Sequence, residues 1–133
     1  YRDNRHKERY NPSLVFLDFD QLKETNDVLG QGAGYMILRR VGEILLQCCR
    51  RTDVPVRAGG DKFIILLIET NVKGAEQLVK RIIGFLNPEG IHLSWGIASL
   101  EECVSGSLEE LKALADKRMY EQKDKKNKKR GRQ

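Results

Sequence analysis

Two glycines and three carboxylates are the residues of this chain whose types and spacing could do chemistry. Gly59-Gly60 separates Val54-Pro55-Val56-Arg57 from Phe63-Ile64-Ile65-Leu66-Leu67-Ile68, and a Gly-Gly pair between two such runs predicts a tight β-hairpin turn. Paired glycines allow positive φ and let a bulky ligand approach the backbone closely. Asp61 at the exit of the turn puts a carboxylate beside that backbone, a place suited to meeting a metal-bound phosphate. Lys62 next to it is the oddity, an ammonium directly beside that carboxylate. Upstream, Asp18 and Asp20 flank Phe19, and strand alternation puts both carboxylates on one face. The plain alternative for Asp18 is a strand-end residue that caps a turn or is solvated.

Regular elements have to hold these groups. Leu14-Val15-Phe16-Leu17 is an apolar run too short for a helix and predicts a buried strand leading into Asp18. A short helix is expected over about 20–28, broken by Gly30, Gly32 and Gly34. Ile37, Leu38, Val41, Leu45 and Cys48 give a helix over 35–49 one apolar face. The hairpin follows at about 54–68, and Ala75, Leu78, Val79, Ile82, Ile83 and Leu86 mark a helix stopped by Asn87-Pro88-Glu89-Gly90. Ile91 to Ser99 reads as a strand that Gly96 loosens, with Trp95 assigned to the core. Ser107-x-x-Glu110 suggests a capping box for a last helix, whose apolar face is Leu108, Leu111, Leu114, Ala115 and Met119, with Tyr120 also assigned to the core. The order β-α-α-β-β-α-β-α predicts an α+β fold, an antiparallel-rich sheet flanked by helices packed on one face.

At 133 residues the chain is long enough for one well-buried core. Residues 1–12 are polar and read as a linker, 13–125 as the domain and 126–133 as a basic tail. The net charge of +5 misleads: residues 123–133 hold seven Lys or Arg against one Asp, which leaves the remainder of the chain at −1. A broad nucleic-acid-binding face is therefore not expected, and a solvated basic end is. Three cysteines, two of them adjacent, form neither a disulfide framework nor a zinc spacing, and a reducing cytoplasmic setting fits them. The opening Tyr1-Arg2-Asp3-Asn4-Arg5 lacks an initiator Met, so an attached sensor or effector domain is expected.

In their order and spacing the motifs resemble the GGDEF domain, the diguanylate cyclase fold that joins two GTP into cyclic di-GMP. The signature here is Gly59-Gly60-Asp61-Lys62-Phe63. Asp18-Phe19-Asp20-x-x-Lys23-x-x-Asn26-Asp27 followed by Gly30 is similar to the family's first strand and nucleotide loop. Ser94-Trp95-Gly96-Ile97-Ala98 is similar to its late strand, and Ala115-Asp116-x-x-Met119-Tyr120-x-x-Lys123 to its last helix. The resemblance implies Asp18, Asp61 and the Phe19 carbonyl as ligands of Mg²⁺ or Mn²⁺, Asn26 as a guanine contact, Lys23 and Lys123 as phosphate contacts, and Gly59 and Gly60 lying against the nucleotide. It further implies a product-inhibition site in Arg50-Arg51-Thr52-Asp53 with Arg81, which would bind cyclic di-GMP.

Three departures from the family pattern imply a degenerate active site. Lys62 stands where the family has an acid, Tyr35 where it has the Asp that reads the guanine edge, and Asn127 where it usually has a phosphate-binding Arg. Reversing a charge beside clustered cations changes the local energy by several kcal/mol at an effective dielectric of about 20, and a phenol cannot replace a carboxylate that accepts two hydrogen bonds. The expected function is a catalytically silent, cyclic di-GMP- or GTP-binding regulatory module. The alternatives are a working cyclase, which needs two copies facing each other, and a ligand-free dimerisation module.

Overall fold

The computed structural model describes residues 11–20 and 22–131, without the side chains of residues 22–24, 26, 31, 130 and 131. Most of the expected linker, residues 1–10, lies outside the described residues.

Four strands form one antiparallel sheet in the order β2-β3-β1-β4. Their bounds are β1 Ser13–Phe19, β2 Asp53–Gly59, β3 Lys62–Leu67 and β4 Leu93–Ser99. The helices are α1 Leu22–Leu29, α2 Gln31–Cys48, α3 Val72–Leu86 and α4 Leu108–Gly131. The predicted element order and α+β class are those observed.

The predicted layering is not. Helices cover both faces of the sheet, because the central strand β1 is buried at every residue and so presents apolar side chains both ways. Val15, Leu17 and Phe19 join the larger core with α2 and α3. Leu14 and Phe16 face the other way, onto Leu111, Ala115 and Met119 of α4. A fully buried Leu, Ile or Phe contributes roughly 2 kcal/mol, so the larger cluster holds most of the apolar stabilisation.

Local sequence explains where the helices begin and end. Asn71 caps α3 by accepting from the Gly74 N–H at 2.9 Å, and Gly90 at φ 78 ends the short 3₁₀ turn after it. Gly30 at φ 88 breaks the chain between α1 and α2, but Gly32 and Gly34 do not: α2 starts at Gln31 and runs through both. Their helix cost is outweighed by the face formed by Leu38, Val41, Ile44, Leu45 and Cys48, all buried.

The expected capping box at α4 is half formed. Ser107 Oγ accepts from the Glu110 N–H at 3.1 Å, while the Glu110 carboxylate reaches past it to the Val104 and Ser105 N–H groups. A complete box closes instead at Ser99 and Glu102, just after β4.

Gly96 does not loosen β4. A Cβ there would collide with the Ala115 carbonyl oxygen and the Met119 nitrogen and come 2.8 Å from Arg118 Cβ, so the glycine is what lets α4 lie against the strand. Tyr120 is 54% exposed, contrary to its core assignment, whereas Trp95 is half-buried against the larger core. The basic end is also not a separate tail from residue 126. Helix α4 continues through it to Gly131, with Lys125, Lys128 and Lys129 exposed and Lys126 packed onto the body.

Cys48, Cys49 and Cys103 are free thiols. Burial foremost, then the Asp53 and Cys48 charges, pushes the Cys49 thiol up to about 11, which makes it inert as a nucleophile near neutrality. Among the described residues, no helix is long and apolar enough to cross a membrane.

Candidate functional site

The hairpin turn builds one wall of the site. Gly59 at φ 111 and Gly60 at φ 44 take the left-handed conformations for which glycine is suited, and a Cβ at either would meet open space. The surface they present is therefore bare backbone. Arg57 fixes the turn by donating from Nε at 3.0 Å and Nη2 at 2.6 Å to the Gly60 carbonyl. The Phe19 N–H donates to the Asp61 carbonyl at 3.3 Å, tying the turn to the end of β1.

Register then assembles the charged groups. Asp18 of β1 lies directly opposite Lys62 of β3 and Ser94 of β4, so the three side chains share the face covered by α4. Asp18 has a side chain only 5% exposed, and its Oδ2 accepts from Lys123 Nζ at 2.8 Å. Its Oδ1 is buried without a hydrogen-bond partner. Burial is the main force pushing the Asp18 carboxyl up to about 6; the Lys123 ammonium opposes the shift and the adjacent Asp61 carboxylate reinforces it.

Asp20 lies just beyond on the same side, as strand alternation predicts. Its Oδ1 accepts from Ser94 Oγ at 2.6 Å and its Oδ2 from Lys126 Nζ at 2.8 Å. Lys126 also donates to the Leu93 carbonyl at 2.9 Å and lies 5.7 Å from the centre of the Trp95 ring. Lys62 sends its ammonium over the Tyr120 ring, 5.3 Å from the centroid.

The donor set fits a small hard cation such as Mg²⁺ or Mn²⁺. A buried, unpartnered carboxylate oxygen on Asp18 stands beside the Asp61 carboxylate and near the Phe19 carbonyl, and such ions prefer oxygen ligands of this kind. No group of three or more His, Cys, Asp or Glu could hold a metal among the described residues, so an ion here would lean on the carbonyl and on oxygens of the nucleotide. When bound, it would clamp phosphate oxygens and draw off developing charge.

A second site forms at the other end of the hairpin. Arg50, Asp53 and Arg81 line one cleft of about 210 Å³ together with Glu69, Asn71 and Gln77. Asp53 is buried, its Oδ2 accepting from the Arg50 N–H at 2.8 Å and its Oδ1 left unpartnered. Arg81 Nη1 donates to the Cys48 carbonyl at 3.4 Å, and both arginines reach solvent. Among the described residues no salt bridge joins either guanidinium to Asp53, and guanidinium forks are of the kind that can take a planar or phosphate-bearing group.

The remaining expected site residues divide in two. Tyr35, on the first turns of α2, is 61% exposed. Lys23 and Asn26 fall within α1, but their side chains lie outside those described. Sequence reasoning missed Lys126 and Ser94. The signal for Lys126 was its place three residues after Lys123 on one helix, obscured because α4 loses its apolar periodicity beyond Met119.

Comparison with known proteins agrees with this fold. A family model described as the diguanylate cyclase GGDEF domain matches residues 2–129. The diguanylate cyclase DgcS of Shewanella oneidensis is 33% identical over 113 residues, which are 85% of this chain and 36% of that protein. The chain thus spans little more than a third of that relative. The crystal structure of the GGDEF domain of YfiN from Pseudomonas aeruginosa superposes with a TM-score of 0.82 at 28% identity, covering 92% of this chain and 81% of that one. A microbial GGDEF domain studied for its interaction with cyclic di-GMP gives 0.77 at 31% identity, covering 90% and 76%.

Proposed function

Because the chain belongs to the GGDEF family of diguanylate cyclases, whose setting is cyclic di-GMP signalling, we propose that it is a regulatory member that binds cyclic di-GMP and makes none. The observation that carries this is the cleft that Arg50 and Arg81 line together with Asp53, a buried carboxylate with one oxygen unpartnered. Guanidinium forks suit the phosphates and the guanine Hoogsteen edge of such a ligand, and a carboxylate suits the guanine N–H groups. One structural neighbour is a microbial GGDEF domain that interacts with cyclic di-GMP, which supports the same ligand class.

Loss of synthesis follows from the other end of the hairpin. With Lys62 in the signature there is no acid at that position to receive the proton of an attacking 3′-hydroxyl or to help hold a second cation. Tyr35 offers a ring to the base and no carboxylate to its edge. Asp18, Asp20 and Asp61 are all retained, and they favour a second reading in which GTP with Mg²⁺ or Mn²⁺ still binds, with or without turnover.

The deciding measurement is calorimetric titration with cyclic di-GMP, and separately with GTP plus Mn²⁺ followed by chromatography for product. Micromolar binding of cyclic di-GMP, weakened at least tenfold in Arg50→Ala, and no product from GTP are expected. Arg50→Ala leaves intact the backbone N–H that Asp53 accepts from, so its effect reads the guanidinium alone. Product formation would make the chain an enzyme and overturn the assignment of Lys62.

A further inference from the structure

Three carboxylates in the first site, Asp18, Asp20 and Asp61, are balanced by three ammonium groups, Lys62, Lys123 and Lys126. Lys123 is the telling one. Its Nζ donates to Asp18 Oδ2 at 2.8 Å and to the Phe19 carbonyl at 3.4 Å, so it sits on the carboxylate and the carbonyl that a divalent cation would use. We infer that Lys123 is a built-in competitor for that cation, its ammonium docked on the same carboxylate and carbonyl and repelled when a metal binds there.

Geometry supports the exchange. The Asp18 oxygen left for an ion is Oδ1, on the same carboxylate that Lys123 holds through Oδ2, so an ion bound there at about 2.0–2.1 Å stands close to the ammonium, and like charges at that range repel. The Lys123 side chain is 23% exposed and has a path to water. Lys126 is what keeps it docked. One helical turn further along α4, it is fastened to Asp20 Oδ2, the Leu93 carbonyl and the face of Trp95. The Trp95 backbone N–H adds a further tether by donating to Gln122 Oε1 at 2.9 Å. The last turns of α4 therefore act as a latch over the carboxylates, one that a bound cation would loosen.

The inference rests on Asp18 and Asp61 being a cation site, and it is independent of the cleft at Arg50. It is tested by titrating Mn²⁺, without nucleotide, into the whole chain and its Lys123→Met and Lys126→Met variants, with free Mn²⁺ read by electron paramagnetic resonance. Lys123→Met is expected to bind Mn²⁺ at least tenfold more tightly than the unmodified chain, and Lys126→Met a fewfold more tightly. Amide exchange over residues 119–129 of the unmodified chain should quicken when Mn²⁺ saturates it, a readout that survives even if Lys123→Met fails to fold. Folded Lys123→Met with unchanged or weaker Mn²⁺ affinity would overturn the inference, as would unaltered exchange at saturation. Absence of Mn²⁺ binding in all three proteins would remove the cation site as well, and would leave the cyclic di-GMP titration to stand or fall separately.

Discussion

Gly96→Ala is expected to unfold the domain or to lower its stability by about 3 kcal/mol or more, the upper range for overpacking a tight contact. The new methyl group would meet the Ala115 carbonyl, the Met119 nitrogen and Arg118 Cβ. The first two are helix backbone, which cannot swing aside as a flexible side chain does. Relief requires α4 to lift from β4, and β4 is where α4 makes most of its contact with the body. A domain of this size has only about 5–15 kcal/mol in total. Thermal melts by circular dichroism check the expectation. Gly42→Ala is the control: Gly42 lies in α2 with open space around it, and alanine there should be neutral or slightly stabilising. A folded Gly96→Ala with an unchanged melting temperature would show that α4 tolerates a wider spacing than the structure has.

Asp18→Asn should stabilise the chain at neutral and alkaline pH and do nothing in acid. The Asp18 carboxyl is raised to about 6 from an ordinary value of 3.8, chiefly by burial. A group raised in this way is held protonated more strongly by the folded state, so its contribution to stability falls as pH climbs from about 4 to about 6 and stays at its lowest above that. Two units correspond to on the order of 3 kcal/mol. Asparagine does not ionise, can accept from Lys123 with its oxygen, and can turn its NH₂ toward the Asp61 carboxylate. In urea titrations with chelator present, the variant should gain about 1–3 kcal/mol at pH 8 and lose that gain near pH 4. A variant less stable at pH 8 would mean that the Lys123 pairing outweighs the burial of the charge. A site that costs stability in the resting protein is the usual mark of a function kept at that position.

Much of this was legible in the sequence, for physical reasons that can be named. The hairpin was legible because Gly59-Gly60 has few other uses between two apolar runs. Helix α3 was legible because its apolar spacing and its stop at Asn87-Pro88 agree. The convergence of Arg50, Asp53 and Arg81 was available only through the family resemblance, since the arginines come from segments that meet in space and share no local pattern.

What the sequence hid was relational. Helices on both faces follow from β1 being buried on both sides, and an uninterrupted apolar run of that length is compatible with either layering. Gly96 looked like a weak point in a strand because a close approach belongs to two elements at once. Glycines 32 and 34 looked like helix breakers because propensity is a weak prior that a buried face overrides. Lys126 looked like tail because charge runs usually are solvated, and nothing local distinguishes a lysine that packs from one that does not.

The second half of α4 has one more consequence. None of residues 120–129 is buried, and beyond Met119 the contacts of the helix with the domain include charge pairs, hydrogen bonds to the backbone of Phe19, Leu93 and Trp95, and two ring contacts. Adhesion of that kind weakens as ionic strength rises, with a screening length of about 8 Å at physiological salt and about 3 Å at 1 M. The apolar cores respond to salt in the opposite sense or hardly at all. Salt thus separates two parts of one continuous helix, and the part that yields first is the part that covers the carboxylates.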